Sequence, residues 1–235
     1  MMDHLRRLLA VALFAGILAG AVASLGHQWN TVPTILVAET YEHQDSAAPG
    51  HADHAAEAHE HGAEAWAPED GLERTLYTVL ADMLTGIAYA LLLGAAMSLR
   101  GAVADWRQGL LWGLAGFAVF TLAPSIGLPP KLPGTPVAEL ADRQVWWVAT
   151  ALLTAGGLAL IAFTRRLPWA VLAVIVIALP HLWGAPAAPA EASAVPDALT
   201  QRFIAGVTAV SLLFWATLGL ATGWLQARLS RASHG

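Results

Sequence analysis

Residues 76–99 read LYTVLADMLTGIAYALLLGAAMSL and contain a single charged side chain, Asp82, in 24 positions. A helix of this length crosses the ~30 Å hydrocarbon core of a bilayer, because each residue advances it by about 1.5 Å. The 235-residue chain is 57% hydrophobic and 12% charged, and that charged fraction is about half the value typical of soluble domains. The stretch therefore predicts a membrane-spanning helix, and the composition predicts a membrane protein.

Five further uncharged stretches cover residues 8–25, 109–128, 145–163, 169–183 and 203–225. We predict an all-α, polytopic integral membrane protein with six transmembrane helices and no β-sheet, forming one membrane domain over residues 1–235. The stretch at 169–183 is short and contains Pro180, so a re-entrant segment is an alternative there. The first stretch ends in Ala21-Val22-Ala23, which resembles a signal-peptide cleavage site. Either alternative leaves five spans.

The basic residues divide unequally when the loops are assigned alternately to the two sides of the membrane. The richer side holds Arg6, Arg7, Arg100, Arg107, Arg165, Arg166, Arg228 and Arg231, and the other holds Arg74, Lys131, Arg143 and Arg202. The positive-inside rule then predicts that both termini are cytoplasmic. Three loops lie outside in this topology: residues 27–74, which are rich in His and Glu, the Pro-rich loop 128–144, and the Ala/Pro-rich loop 184–202.

Several function classes are disfavoured by the composition. The net charge is -5 and the basic residues are scattered, which argues against nucleic-acid binding. The absence of cysteine excludes thiolate metal sites and Fe–S clusters. The chain has no phosphate-binding loop, nucleophile elbow or HExxH motif, and no pair of His within a span for haem. We therefore predict no enzyme activity and no nucleotide, haem or flavin.

The loop 27–74 holds six of the nine His. Its candidate metal ligands are His51, His54, Glu57, His59 and His61. Imidazole nitrogen and carboxylate oxygen suit Co²⁺, Ni²⁺ and Zn²⁺, and these ligand types do not by themselves select one of the three. The alternative is a solvated, low-complexity linker that binds metals only nonspecifically. Nearer the first span, Glu39, Glu42 and His43 form a second candidate cluster at the membrane surface, or a solvated end of an interfacial segment.

Ionisable residues within or at the ends of the spans form the third candidate site, because a charge inside a bilayer costs several kcal/mol and usually has a function. Asp82, His181 and His27 all fall toward the outer side of their spans. The alternative is that Asp82 pairs with Arg74 or Arg143 and that His181 bonds a neighbouring helix. The inner halves of the spans offer no second carboxylate or histidine, so the chain alone does not provide a complete ion pathway.

Several segments resemble the CbtA family of predicted cobalt transporter subunits. The segment 32–42, VPTILVAETYE, is similar to the family pattern PLILxAExYE. The segments 122–134 (LAPSIGLPPKLPG), 143–147 (RQVWW), 179–186 (LPHLWGAP) and 203–223 also match, so the resemblance covers nearly the whole chain. Thr34 stands where the family usually has Leu, and Lys131 stands where an acidic residue is common. The latter difference puts a metal role for the Pro-rich loop in doubt.

This resemblance implies a cobalamin-related uptake system in the bacterial inner membrane, with a single-span, His-containing partner similar to CbtB. It supports Glu39, Glu42 and His181 as site residues. The function hypothesis is a subunit for divalent metal uptake, with Co²⁺ favoured over Ni²⁺ or Zn²⁺ as substrate. The alternative is a membrane metallochaperone or sensor that delivers metal to a separate permease. A third hypothesis, an oxidase subunit or assembly factor, lacks any cofactor motif. The bilayer is the other expected partner, and association of the chain with copies of itself stays open.

Overall fold

A computed structural model describes residues 2–46, 68–69, 71–101, 105–164, 166–190 and 193–231. This part of the chain is almost entirely helical and contains no strand, which confirms the all-α prediction. In chain order its elements are α1 (Met2–Gly26), π1 (His27–Thr31), α2 (Val32–Ser46), α3 (Leu72–Arg100), α4 (Trp106–Phe117), π2 (Ala118–Leu122), α5 (Ala123–Gly127), α6 (Leu140–Thr164), α7 (Leu167–Trp183) and α8 (Asp197–Arg231), where π1 and π2 are single π-helical turns.

Five helical stretches are long and apolar enough to cross a bilayer. They are Leu5–Tyr41, Leu72–Arg100, Trp106–Gly127, Leu140–Thr164 and Asp197–Arg231. The sixth apolar helix, α7, has 17 residues, which is about 26 Å at about 1.5 Å per residue and therefore shorter than the ~30 Å core. The described chain thus contains the six predicted helices by count, and five of them are long enough to span the membrane unaided.

The first helix runs about twenty residues beyond the boundary that hydropathy predicts near residue 25. It continues through π1, where the Val32 N–H donates to the His27 carbonyl five residues earlier. Pro33 lacks an N–H but occupies the second position of α2, where a helix tolerates it. The Thr34 hydroxyl donates to the Thr31 carbonyl at 2.7 Å. A wider turn and side-chain hydrogen bonds therefore carry the helix past the proline, and the first part of the predicted loop 27–74 is helical.

Glycines bring two pairs of helices into backbone contact. On α1 and α3, a Cβ atom at Gly16 would lie 2.5 Å from the Ile87 Cα, and one at Gly20 would lie 2.7 Å from the Asp82 carbonyl oxygen. On α4 and α8, a Cβ at Gly219 would lie 2.8 Å from the Gly113 Cα. The four-residue spacing of small residues in the sequence is typical of such surfaces in membranes, and here it marks both of these helix contacts.

A buried apolar cluster joins two loops to the end of the bundle nearest α2. It consists of Ala38 on α2, Leu132 in the Pro-rich loop, Val195 in the loop before α8, and Phe203 on α8. Leu132 and Val195 are only 3% and 5% exposed. Val195 brings the described end of the Ala/Pro-rich loop into contact with this apolar cluster.

Candidate metal site

A serine, a histidine and an aspartate meet where α1, π1 and α3 come together. The Ser24 hydroxyl donates to Asp82 Oδ2 at 2.8 Å, and His27 Nδ1 lies 3.1 Å from the same oxygen. Ser24 precedes His27 by one helical turn, so both side chains emerge on the same face. Gly20, a further turn away, lets the backbone of α3 approach at Asp82. The close helix contact therefore positions the carboxylate against the hydroxyl and the imidazole.

The Asp82 carboxylate is largely shielded, with 15% of its side chain exposed against 30% for His27. Burial of a charge is costly unless it is compensated, and Ser24 and His27 each place a hydrogen-bonding group against Asp82 Oδ2. An ionised carboxylate can only accept hydrogen bonds, so this contact with ionised Asp82 requires the proton on Nδ1. In the neutral imidazole with its proton on Nδ1, the lone pair lies on Nε2, and this form binds divalent transition metals. Carboxylate partners of this kind fix the orientation of metal-binding histidines.

Glu39 and Arg74 form an ion pair farther along the same two-helix contact. The distance from Arg74 Nη2 to Glu39 Oε1 is 2.8 Å, with about a third of each side chain exposed. Arg74 therefore pairs with Glu39, whereas Asp82 bonds to His27 and Ser24. The other two residues of this predicted cluster, Glu42 and His43, lie in α2 beyond the part of the helix whose side chains are described.

His181 occupies a different part of the molecule. It lies on α7, where its ring packs edge-on against Trp146 of α6 with 5.9 Å between ring centroids. Trp146 Nε1 donates to the Pro180 carbonyl at 3.3 Å. Within the ranges that the structure describes, no group of three or more His, Asp or Glu side chains is arranged to hold one ion. His27 and Asp82 are thus brought together, and His181 does not join them.

The ligands predicted in the centre of the loop 27–74 fall outside the described residues. They are His51, His54, Glu57, His59 and His61. A metal-binding role for these five residues remains a prediction from their spacing and chemistry.

Three features of the site were not anticipated from the sequence. Ser24 was missed, although its position one turn before His27 is a usable signal. The pairing of Arg74 with Glu39 was missed because it depends on how the helices are rotated. The π turn at His27 was also missed, and such turns are frequent at functional sites.

Uncharged polar groups are buried elsewhere in the bundle. The hydroxyls of Thr150, Thr154 and Thr222 are buried and have no hydrogen-bond partner within the described chain. Met97 is fully buried as well. Most described helical hydroxyls instead donate to a carbonyl three or four residues earlier, as Thr164 and Thr208 do. Thr222 and Met97 lie in the halves of α8 and α3 farthest from Asp82, where the sequence offers no second carboxylate or histidine.

Comparison with known proteins assigns the chain to a family. No curated protein and no solved structure matches the chain. The family model described as "Probable cobalt transporter subunit (CbtA)" matches residues 5–227 of the 235. That match includes α1 through most of α8, and with them Ser24, His27 and Asp82. The chain therefore belongs to the CbtA family of probable cobalt transporter subunits.

Proposed function

We propose that this chain takes up a divalent metal ion, with Co²⁺ favoured, by capturing it on the outer side and passing it into the helix bundle. The capture ligands are His51, His54, Glu57, His59 and His61, followed by Glu39, Glu42 and His43. The contact between His27 and Asp82 carries the proposal, because a largely shielded carboxylate that orients an imidazole is a suitable receiving group for such an ion. His181 would act as a separate, later ligand on α7.

Glu39 provides the step between capture and the bundle. Its carboxylate already holds a positive charge, the Arg74 guanidinium, at 2.8 Å. An arriving divalent cation would compete with that guanidinium for the carboxylate. Because both the Glu39–Arg74 pair and the His27–Asp82 pair bridge the first helix and α3, the ion would move along one helix contact rather than across the bundle.

The membrane potential supplies the driving force in this proposal. Moving one elementary charge through 100 mV is worth about 2.3 kcal/mol, so a divalent cation moving inward gains about twice that amount. Both termini are cytoplasmic in this orientation and the His-rich loop faces the periplasm or the exterior of a bacterial inner membrane, as the distribution of Arg and Lys favours.

A partner subunit is part of the proposal. His27 and Asp82 offer at most two metal ligands, and no third His, Asp or Glu joins them within the described residues. Transition metals in proteins usually have four or more ligands. A single-span, CbtB-like chain with its own histidines would supply the missing ones, and the family description as a transporter subunit is consistent with such an assembly.

Metal accumulation in cells tests the proposal. The chain is expressed in a bacterial host that lacks its own cobalt importers, alone and with a CbtB-like partner, and cell-associated cobalt, nickel and zinc are measured by mass spectrometry. Cobalt accumulation that requires the chain supports uptake. If no metal accumulates with or without the partner, although both chains reach the membrane, the uptake proposal is wrong.

Replacement of the histidines in the external loop is expected to weaken capture of the metal ion. It is not expected to change the movement of the ion through the helix bundle. With His51, His54, His59 and His61 replaced by alanine, cobalt uptake should fall severalfold at limiting cobalt and match the unaltered protein at saturating cobalt. A loop that concentrates the ion affects the rate only while the ion is scarce. An equal loss at both concentrations would instead assign the loop to the transport pathway itself.

A second candidate function is a membrane metallochaperone or sensor that binds metal and delivers it to a separate permease. The observation that favours it is the uncharged character of the buried polar groups far from Asp82, such as Thr222 and Met97. This function predicts that the purified protein binds cobalt, while vesicles containing the chain and its partner show no cobalt flux.

A further inference from the structure

A cavity of about 400 Å³ lies where the Pro-rich loop, the loop after α7 and the start of α6 meet. Pro129 and Pro130 line it from the first loop and Pro186 from the second, and α6 contributes Trp147 and Val148. Proline fixes φ near -65°, so these walls have little conformational freedom to lose when a ligand binds.

The frame of the cavity is anchored on both sides. Leu132, next to the lining residue Lys131, is buried against α2 and α8. The Leu132 carbonyl accepts hydrogen bonds from the Thr135 N–H at 3.3 Å and from the Thr135 hydroxyl at 2.6 Å. On α6, Trp146 is held to the Pro180 carbonyl immediately before Trp147. Burial of Leu132 and these hydrogen bonds therefore hold the Pro-rich loop and the start of α6, two of the segments that form the cavity.

Two cationic side chains, Lys131 and Arg143, line this cavity, and no acidic side chain does. Glu139 and Asp142 are close in sequence, but both are exposed and neither lines the cavity. Within the described ranges, Lys131 and Arg143 form no ion pair and no contact with an aromatic ring. Other arginines are engaged: Arg74 pairs with Glu39, and Arg100, Arg107 and Arg228 lie over aromatic rings. The two uncompensated charges favour an anion.

An apolar surface leads away from the cavity along α6. Val145, Val148 and Leu152 follow one another at helical spacing and are 71%, 48% and 68% exposed. They belong to a helix that is long and apolar enough to span the membrane, so this face contacts lipid chains. A ligand that fits both features carries an anionic group for the two cations and a hydrocarbon chain for the helix face.

We propose that this cavity binds a phospholipid with a net negative headgroup, with its phosphate between Lys131 and Arg143 and an acyl chain along Val145, Val148 and Leu152. Phosphate is the shared chemistry, and its source is a bilayer lipid rather than free phosphate because the apolar face adjoins the cations. The site is distinct from the contact of His27 with Asp82 and does not depend on metal transport.

The test measures lipid binding to the full-length protein in a neutral detergent. Phosphatidylglycerol, phosphatidylcholine and inorganic phosphate are titrated separately, and binding is read from native mass spectra and from thermal unfolding. One cation near an anionic lipid contributes roughly a fivefold gain in affinity. Lys131→Gln should therefore weaken phosphatidylglycerol binding about fivefold, and the double variant Lys131→Gln/Arg143→Gln about thirtyfold.

Two variants serve as controls. Arg202→Gln removes a cation from the start of α8 that does not line this cavity, and it should bind phosphatidylglycerol as the unaltered protein does. The charge-preserving pair Lys131→Arg/Arg143→Lys should retain binding, which separates loss of charge from misfolding. Equal binding of phosphatidylcholine would overturn the assignment of an anionic ligand. Equal effects of inorganic phosphate, or undiminished phosphatidylglycerol binding by the double variant, would overturn the lipid site.

Discussion

Cells that express the Asp82→Asn variant together with the partner are expected to accumulate about 10- to 100-fold less cobalt than cells with the unaltered chain. Asn retains the shape of the side chain, and its carbonyl oxygen can still accept the Ser24 hydrogen bond. It has no negative charge to stabilise a cation, and because its amide group can donate as well as accept hydrogen bonds, it no longer fixes the His27 proton on Nδ1. Cell-associated cobalt, measured by mass spectrometry at equal membrane levels of protein, checks the result.

Asp142→Asn is the matched control for this substitution. Asp142 is an exposed carboxylate in the first turn of α6, and its replacement makes the same chemical change outside the contact of α1 with α3. Uptake by this variant should be unaltered. Undiminished uptake by Asp82→Asn would contradict the role proposed for the pair of His27 and Asp82, whereas equal losses in both variants would point to a general electrostatic effect.

Gly219→Val is expected to disrupt the packing of α4 against α8 and to lower the thermal unfolding temperature strongly in detergent. A Cβ at this position lies against the Gly109 carbonyl oxygen and 2.8 Å from the Gly113 Cα. Over-packing of a tight interior typically costs about 1–3 kcal/mol, and the cost here falls at the upper end or above because the obstructing atoms are backbone atoms that cannot rotate away. To make room for the valine side chain, α4 and α8 must move apart along their contact.

Gly156→Val provides the comparison, because a Cβ at Gly156 on α6 meets no atom within 4 Å. Both variants introduce the same β-branched residue into a helix, so their difference isolates the steric contribution. The Gly156→Val protein should unfold close to the temperature of the unaltered protein. Similar unfolding temperatures for the two variants would show that glycine contacts do not hold α4 against α8.

Much of the fold is predictable from the sequence because a bilayer requires long helices with few charged residues. Such stretches can be recognised directly from the order of the residues. The glycine spacing at Gly16 and Gly20 also identifies a contact surface. The end of the first helix is not predictable in this way. Polar residues such as Glu39 are compatible with a helix that projects from the membrane, so a change in hydropathy marks the membrane boundary and not the helix end.

The candidate site is only partly predictable. The sequence places His27 and Asp82 at similar depth, and their contact then follows from the glycine-mediated approach of α1 to α3. It also places His181 at a similar depth, but α7 packs against α6, where Trp146 contacts that histidine. Depth follows from position along a span, whereas the lateral arrangement of helices depends on side-chain packing that hydropathy does not encode.

The π turn at His27 sets the angular relation between the two residues of the first helix that contact α3, His27 and Glu39. Glu39 follows His27 by twelve residues, which in an unbroken α-helix of 3.6 residues per turn would rotate it about 120° away from His27. One residue absorbed in a single π turn leaves eleven effective steps, or a net rotation of about 20°. Glu39 and His27 thereby face α3 together, one at Arg74 and the other at Asp82. An irregularity of one residue thus brings the Glu39 carboxylate and the His27 imidazole into angular register along the helix.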